Sequence, residues 1–487
     1  MKKAVAALLL VCLILFAATA CGKKDTPQTQ SFTARDAVTG KAAYIPNEAI
    51  VADEYIDYAA EVNIDYDKYP WLLDMEQGLY WTTGYNGDQV IDVKADSEEG
   101  AAAFDPAMPT VIITHGVQMG NGRNGKMDFC ELSGEHDISS YNFEGIFENG
   151  VPPEGRFQLS EIYFNLGYNV GIFHYENFCD SASTEIEGFG QMEIDFYTVE
   201  RNVATTDYGC KAMNINGETS DGDAIKGFSV SQFYAAEYLR AMKRVGAYDA
   251  SHEIIFMAHS MGGFVTTLSS HLITELVRVG QLDAAFIPDR ISLQDSFVGT
   301  GKFISGNADA PTLAWTGKTY IDGSSRMVYM ACLENLVLGY DIAVEFICLT
   351  GKMVSFFAGL IAEECDFGLE FIRTLTTYTE IATYYKGINI PIIDGHNDVR
   401  EFYMISKAAD PLQGEYQGEA VDIPLASLST EKIKSLRGYC FIMDESGEYS
   451  DNFGGRETIE PVDDTYIITR YCFDELKPQF GTLVKKG

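Results

Sequence analysis

The sequence predicts an α/β fold with a mostly parallel central sheet and helices on both faces. Short, continuous apolar runs, typical of strands buried on both faces, alternate with segments of helical periodicity. The predicted strands are Thr110–Thr114, Asn169–Phe173, Glu253–Ala258, Arg290–Gln294 and Ile342–Cys348. The predicted helices include Ser231–Val245 and Gly263–Val279, where apolar side chains recur on one helical face.

Residues 1–20 have the features of a signal peptide. Lys2 and Lys3 precede an apolar run from Ala4 to Ala18, and small residues lead up to Cys21. Ala-Thr-Ala-Cys at 18–21 resembles the lipobox of bacterial lipoproteins, although Ala18 stands where such boxes usually carry Leu. The resemblance implies lipidation of Cys21 and an extracytoplasmic protein anchored by lipid to the bacterial cell membrane. Ordinary secretory cleavage and an uncleaved anchor are the alternatives.

Composition divides the remaining chain into three parts. Residues 21–65 are polar with little apolar periodicity and are predicted to be a tether. Residues 66–410 are predicted to be one domain, with insertions at about 118–158 and 177–227 that are too long for simple turns. These insertions are candidate lids or surface decoration. Residues 411–487 are predicted to be a C-terminal extension packed on that domain.

Charge and cysteine content exclude some classes of partner and cofactor. The chain has 35 Lys and Arg against 71 Asp and Glu, a net charge of −36, which repels nucleic acid. The eight cysteines that follow Cys21 permit disulfides in an exported protein, but they show no spacing typical of a metal site. Asp221-Gly-Asp223 lacks the further spaced ligands of a calcium loop and predicts a turn.

The segment from Glu253 to Phe264 predicts a nucleophilic serine. An apolar strand leads into Ala258-His-Ser260-Met-Gly262, and an apolar helix follows. A serine on such a sharp strand-to-helix turn needs small residues two positions before and after it, which Ala258 and Gly262 provide. Ser260 is therefore the predicted nucleophile.

Residues 105–405 resemble the α/β-hydrolase superfamily, and within it the lipases and esterases. The motifs that carry the resemblance are the serine turn, Thr114-His115-Gly116-Val117, Tyr168-Asn-Val-Gly-Ile-Phe173 and Gly395-His396-Asn397. The resemblance implies that the backbone N–H groups of Val117 and Met261 form an oxyanion hole. His115 is expected to be a hydrogen-bonded structural residue. The resemblance implies no cofactor and no metal.

The order of catalytic residues in that superfamily, Ser, then acid, then His, selects the base. Only His271 and His396 follow Ser260. His271 lies eleven residues further along the predicted helix, about 16 Å along its axis, too far to accept the serine proton. His396 is predicted to lie in a loop after a strand at 390–393, and it is the expected base.

Three carboxylates are candidates for the acid. Asp295 is favoured because it ends the first predicted strand after the serine helix, a position that resembles that of pancreatic-type lipases. Asp341, beside a later strand, and Asp394, two residues from His396, are the alternatives.

These residues predict a serine hydrolase that cleaves carboxylic esters, such as lipid or other acyl esters, through an acyl-enzyme on Ser260. The alternatives are a peptidase or thioesterase of the same fold and a binding lipoprotein without activity. The expected partners are a small-molecule or lipid ester and, through Cys21, a membrane.

Overall fold

A computed structural model gives the structure of the protein. The residues it describes are 32–33, 45–46, 77–86, 89–116, 143–147, 158–175, 230–249, 251–278, 280–298, 329, 332–349, 366–381, 391–443 and 465–471. The predicted signal peptide, Cys21, Val117, most of the first insertion and all of the second lie outside them.

The described residues form fourteen strands, numbered in chain order. They are β1 Phe32–Thr33, β2 Ile45–Pro46, β3 Gly78–Asn86, β4 Gln89–Lys94, β5 Thr110–Thr114, β6 Asn169–His174, β7 Ile254–His259, β8 Arg290–Gln294, β9 Ala343–Leu349, β10 Thr377–Ile381, β11 Gln413–Tyr416, β12 Glu419–Asp422, β13 Tyr439–Met443 and β14 Tyr466–Arg470. Ten of them form one sheet in the order β14-β13-β10-β9-β8-β7-β5-β6-β3-β4.

The helices follow the same numbering. They are α1 Glu98–Ala103, α2 Leu159–Asn165, α3 Val230–Val245, α4 Met261–Arg278, α5 Asp366–Leu375, α6 Pro391–Lys407 and α7 Thr430–Ser435, with a 3₁₀ turn at Ala284–Phe286 and a π-helix at Asn335–Gly339. In the described part of the chain, none of them is both long and apolar enough to span a membrane.

The predicted α/β class with a mostly parallel sheet is confirmed. All neighbouring pairs from β6 through β5, β7, β8, β9 and β10 to β13 are parallel. Antiparallel strands occupy the two ends, β14 beside β13 and the β3–β4 pair beside β6. The five predicted strands agree with β5 to β9 to within one residue, because each is a continuous apolar run.

The sixth predicted strand is wrong. The sequence predicts a strand at 390–393 before a catalytic loop, but helix α6 begins at Pro391 and continues to Lys407. Proline is favoured in the first turn of a helix because its missing N–H would have no partner there. His396 therefore lies on a helix rather than in a loop.

The sheet lies between two apolar layers that cover its two faces. Ile112 of β5 packs with residues of α3, α4 and α5 on one face. Its neighbours Val111 and Ile113 pack with residues of α2, α6 and α7 on the other face. Successive side chains of a strand point to opposite faces, so a central strand buried on both must be apolar throughout.

The order of the strands indicates at which edge of the sheet a ligand would bind. From β5 the chain passes to β6 on one side and then returns to β7 on the other side of β5. In open parallel sheets, ligands bind at the carboxyl ends of the strands where the chain changes direction in this way. Here that point lies after β5 and β7, where His115 and Ser260 follow the strands.

The C-terminal extension contributes to the same sheet. β13 pairs with β10, and β14 pairs with β13.

Three of the eight cysteines that follow Cys21 are buried free thiols, namely Cys332, Cys348 and Cys440. The other five lie outside the described residues.

Candidate active site

Ser260 lies at the turn between β7 and α4 with a left-handed backbone, at φ 54°. This conformation is unfavourable for a residue with a side chain and persists only when the surroundings enforce it. The Ser260 N–H donates to the carbonyl of Gln294 at 3.1 Å, and the N–H of Phe297 donates to the Ser260 carbonyl at 2.9 Å. Both partners belong to β8 or the turn after it, so the neighbouring strand holds the serine backbone.

Gly262 lets the strand, the turn and the helix pack closely. A Cβ atom at this position would overlap the carbonyl oxygen of His115 at the end of β5. A Cβ on Gly116 would lie 2.8 Å from the Cβ of Ser260. The chain after β5 thus passes directly beside the serine, as the spacing of small residues requires.

Of the two predicted oxyanion donors, Met261 is described and Val117 is not. Met261 is the first residue of α4. An N–H in the first turn of a helix has no partner within that helix, so it remains able to bind an anion.

His115 is fully buried and serves the structure. Its Nε2 atom accepts from the N–H of Tyr175 at 3.3 Å, so its proton resides on Nδ1, which donates to the Gly116 carbonyl at 2.6 Å. The ring stacks on Tyr175 with centroids 4.1 Å apart. These contacts fix the chain after β5.

Asp295 follows β8, the strand beside β7, and it also has a left-handed backbone, at φ 42°. Its N–H donates to the Ile347 carbonyl of β9 at 2.6 Å. The carboxylate is buried, with 7% of the side chain exposed. The turn directs the carboxylate toward α6.

His396 lies in the second turn of α6 and contacts that carboxylate. Its Nδ1 atom is 2.5 Å from Oδ2 of Asp295, and 14% of its side chain is exposed. An ionised carboxylate only accepts hydrogen bonds, so Nδ1 carries the proton and Nε2 remains as the basic nitrogen. The structure thus brings Asp295 and His396 together at the strand ends that carry Ser260.

Asp341, the alternative acid, and His271, the alternative base, make contacts with other residues. Asp341 precedes β9, at the opposite edge of the parallel sheet, with 62% of its side chain exposed and salt bridges to Lys434 and Arg437. His271 of α4 accepts a hydrogen bond from Asn335 of the π-helix at 2.8 Å, and burial lowers the pKa of its imidazole. Asp394 lies in the first turn of α6, and its side chain is outside the described residues.

The structure shows a contact between His259 and His396 that the sequence does not predict. The Nε2 atom of His259 is 3.0 Å from the backbone carbonyl of His396, and the two rings lie 4.2 Å apart. The two residues are 137 positions apart. No local pattern in the sequence pairs them.

Within the described part of the chain, no group of three or more His, Cys, Asp or Glu side chains could hold a metal ion. The chemistry available at this edge of the sheet is that of a hydroxyl, an imidazole, a carboxylate and helix N–H groups.

No family model matches the chain, and no curated protein matches it. Among solved structures, it is similar to the crystal structure of esterase B from Lactobacillus Rhamnosis (HN001) at 12% sequence identity and a TM-score of 0.24. The similarity covers 62% of this chain and 76% of that chain. The TM-score is too low to support an argument about activity, which must come from the site.

Proposed function

We propose that the protein is a serine hydrolase of the α/β-hydrolase fold that cleaves carboxylic esters through an acyl-enzyme on Ser260. The observation that carries the proposal is the contact between His396 Nδ1 and Asp295 Oδ2, 2.5 Å apart. It joins residues from a strand end and a distant helix beside a serine whose backbone is strained. Strained backbone and buried acid–base pairs are typical of catalytic sites.

The reaction begins with transfer of the Ser260 hydroxyl proton to Nε2 of His396 as Ser260 Oγ attacks the ester carbonyl carbon. The imidazolium that forms is stabilised by the Asp295 carboxylate, which stays ionised. The carbonyl oxygen becomes negative in the tetrahedral intermediate, where the N–H groups of Met261 and Val117 are the proposed donors. Each such donor contributes about 3–4 kcal/mol.

Collapse of this intermediate breaks the ester bond, and His396 returns the proton to the departing alcohol. Water then attacks the acyl-enzyme while His396 accepts its proton, and His396 returns that proton to Ser260 Oγ as the carboxylic acid is released. The cycle needs only water as a second substrate.

We also propose that Cys21 carries a lipid that holds the enzyme at the outer side of a bacterial membrane. The support for this is the signal-like N-terminus described above. Several acyl chains together bind a membrane firmly, whereas a single chain binds only weakly. Cys21→Ala removes the sulfur that would carry the lipid, so it is expected to release the protein into the soluble fraction. A variant that still sediments with membranes as the parent does would contradict the lipid anchor.

The proposed activity is tested with chromogenic esters from acetate to palmitate, together with an acyl thioester and a peptide anilide. Ester hydrolysis and labelling by a fluorophosphonate are expected in the parent and lost in Ser260→Ala. Ser270→Ala is the matched control, because Ser270 is a buried serine of the same helix and its hydroxyl has no hydrogen-bond partner among the described residues. Labelling that persists in Ser260→Ala would refute the assignment, and a preference for the anilide or thioester would replace the substrate class.

A further inference from the structure

His259 contacts the proposed base from the residue next to the nucleophile. It is the last residue of β7 and is buried, with a relative exposure of 7%. Its Nε2 atom is 3.0 Å from the backbone carbonyl oxygen of His396. A carbonyl oxygen only accepts hydrogen bonds, so Nε2 of His259 carries a proton and donates it.

The imidazole of His259 is neutral when it makes this bond. Burial, followed by the nearby charges of His396 and Arg400, holds the pKa of His259 well below its usual range. A neutral donor suits this position, because a positive charge develops on the neighbouring ring during the proposed reaction. A second cation 4.2 Å from that ring would oppose proton transfer.

The ring of His259 is itself held on both sides. On one side lies His396, with ring centroids 4.2 Å apart and an interplanar angle of 39°. On the other lies Gly116, where a Cβ would be 3.2 Å from Nδ1 of His259. The side chain therefore fills the space between the chain after β5 and helix α6.

We infer that His259 is a positioning residue that sets the distance between Ser260 and His396. The inference rests on the proposed function of that pair. Asp295 holds the side chain of His396 through Nδ1, and His259 holds its backbone through the carbonyl. Because His259 and Ser260 are consecutive, this bond ties the base to the nucleophile through one peptide unit.

The test compares two replacements of His259. His259→Phe keeps a ring of similar size and removes the donor, and it is expected to lower kcat by about 10–100-fold with KM within about threefold, the scale of a misplacement near 1 Å. His259→Gln retains an N–H that can reach the carbonyl and is expected to keep kcat within about fivefold of the parent. His271→Phe, a histidine of α4 bonded to Asn335, is the matched control and is expected to keep the parental kcat.

A merely structural role would reduce the folded fraction without changing kcat per labelled site, so fluorophosphonate labelling supplies the active concentration. Parental kcat in folded His259→Phe, with activity lost in Ser260→Ala, would refute the positioning role and leave the proposed function intact. Unchanged activity in Ser260→Ala would refute the proposed function itself. If His259→Phe does not fold, His259→Leu takes its place as the variant without a donor: a kcat about 10–100-fold lower supports the inference, and a parental kcat refutes it.

Discussion

Asp295→Asn is expected to lower kcat by about a thousandfold. Nδ1 of His396 lies 2.5 Å from the buried Asp295 carboxylate, which places the charge centres of an imidazolium and the carboxylate about 4 Å apart. At an effective dielectric constant of about 20 their attraction is about 4 kcal/mol, and each 1.4 kcal/mol changes a rate about tenfold. The amide keeps the shape but removes this attraction and favours the unproductive tautomer.

The assay is steady-state hydrolysis of a short chromogenic ester, with active sites counted by fluorophosphonate labelling. KM is expected to change little, because the attraction arises mainly in the transition state. Asp341→Asn is the matched control: its side chain is 62% exposed and its pairs with Lys434 and Arg437 lie at the surface, where such pairs contribute about 0–1 kcal/mol. A severe defect in Asp341→Asn beside a mild one in Asp295→Asn would refute the reasoning.

Two further predictions concern the stability of the fold. Gly262→Ala is expected to destabilise the fold by several kcal/mol and to abolish labelling, because its Cβ would overlap the His115 carbonyl. Gly84→Ala is the control: a Cβ there meets no described atom within 4 Å, so the melting temperature in thermal unfolding should change little. Burial raises the pKa of Glu334 from 4.5 to about 8, so the folded state keeps a proton that the unfolded state loses, and stability falls as pH rises between those values. Glu334→Gln should remove this slope, raising the melting temperature at alkaline pH by more than at acidic pH, and parallel curves for parent and variant would contradict the expectation.

The sequence predicts the strand-to-helix turn at Ser260 because its constraint is local. Ser260 needs small neighbours, a preceding apolar strand and a following helix, and all of these lie within a few residues of it. The central strands are equally predictable from the sequence, since a strand buried on both faces is a continuous apolar run. Their bounds agree with the structure to within one residue.

Helix α6 was misassigned because a short apolar run with a proline fits either structure. Periodicity cannot separate a buried strand from the first turn of a helix over so few residues. The hydrogen bond between His259 and His396 depends on how α6 packs over the sheet, and it joins residues 137 positions apart. Such a contact arises from tertiary packing, and no pattern in either local segment of the sequence predicts it.

The late position of β13 in the chain has a consequence for biosynthesis. β13 covers the edge of β10, and β14 then covers β13, although nearly sixty residues separate β10 from β13 along the chain. A nascent or truncated chain that ends before Tyr439 would expose the free N–H and C=O groups of β10, a template for pairing with other chains. We therefore expect fragments that lack the last strands to aggregate on expression, even when they contain Ser260, Asp295 and His396.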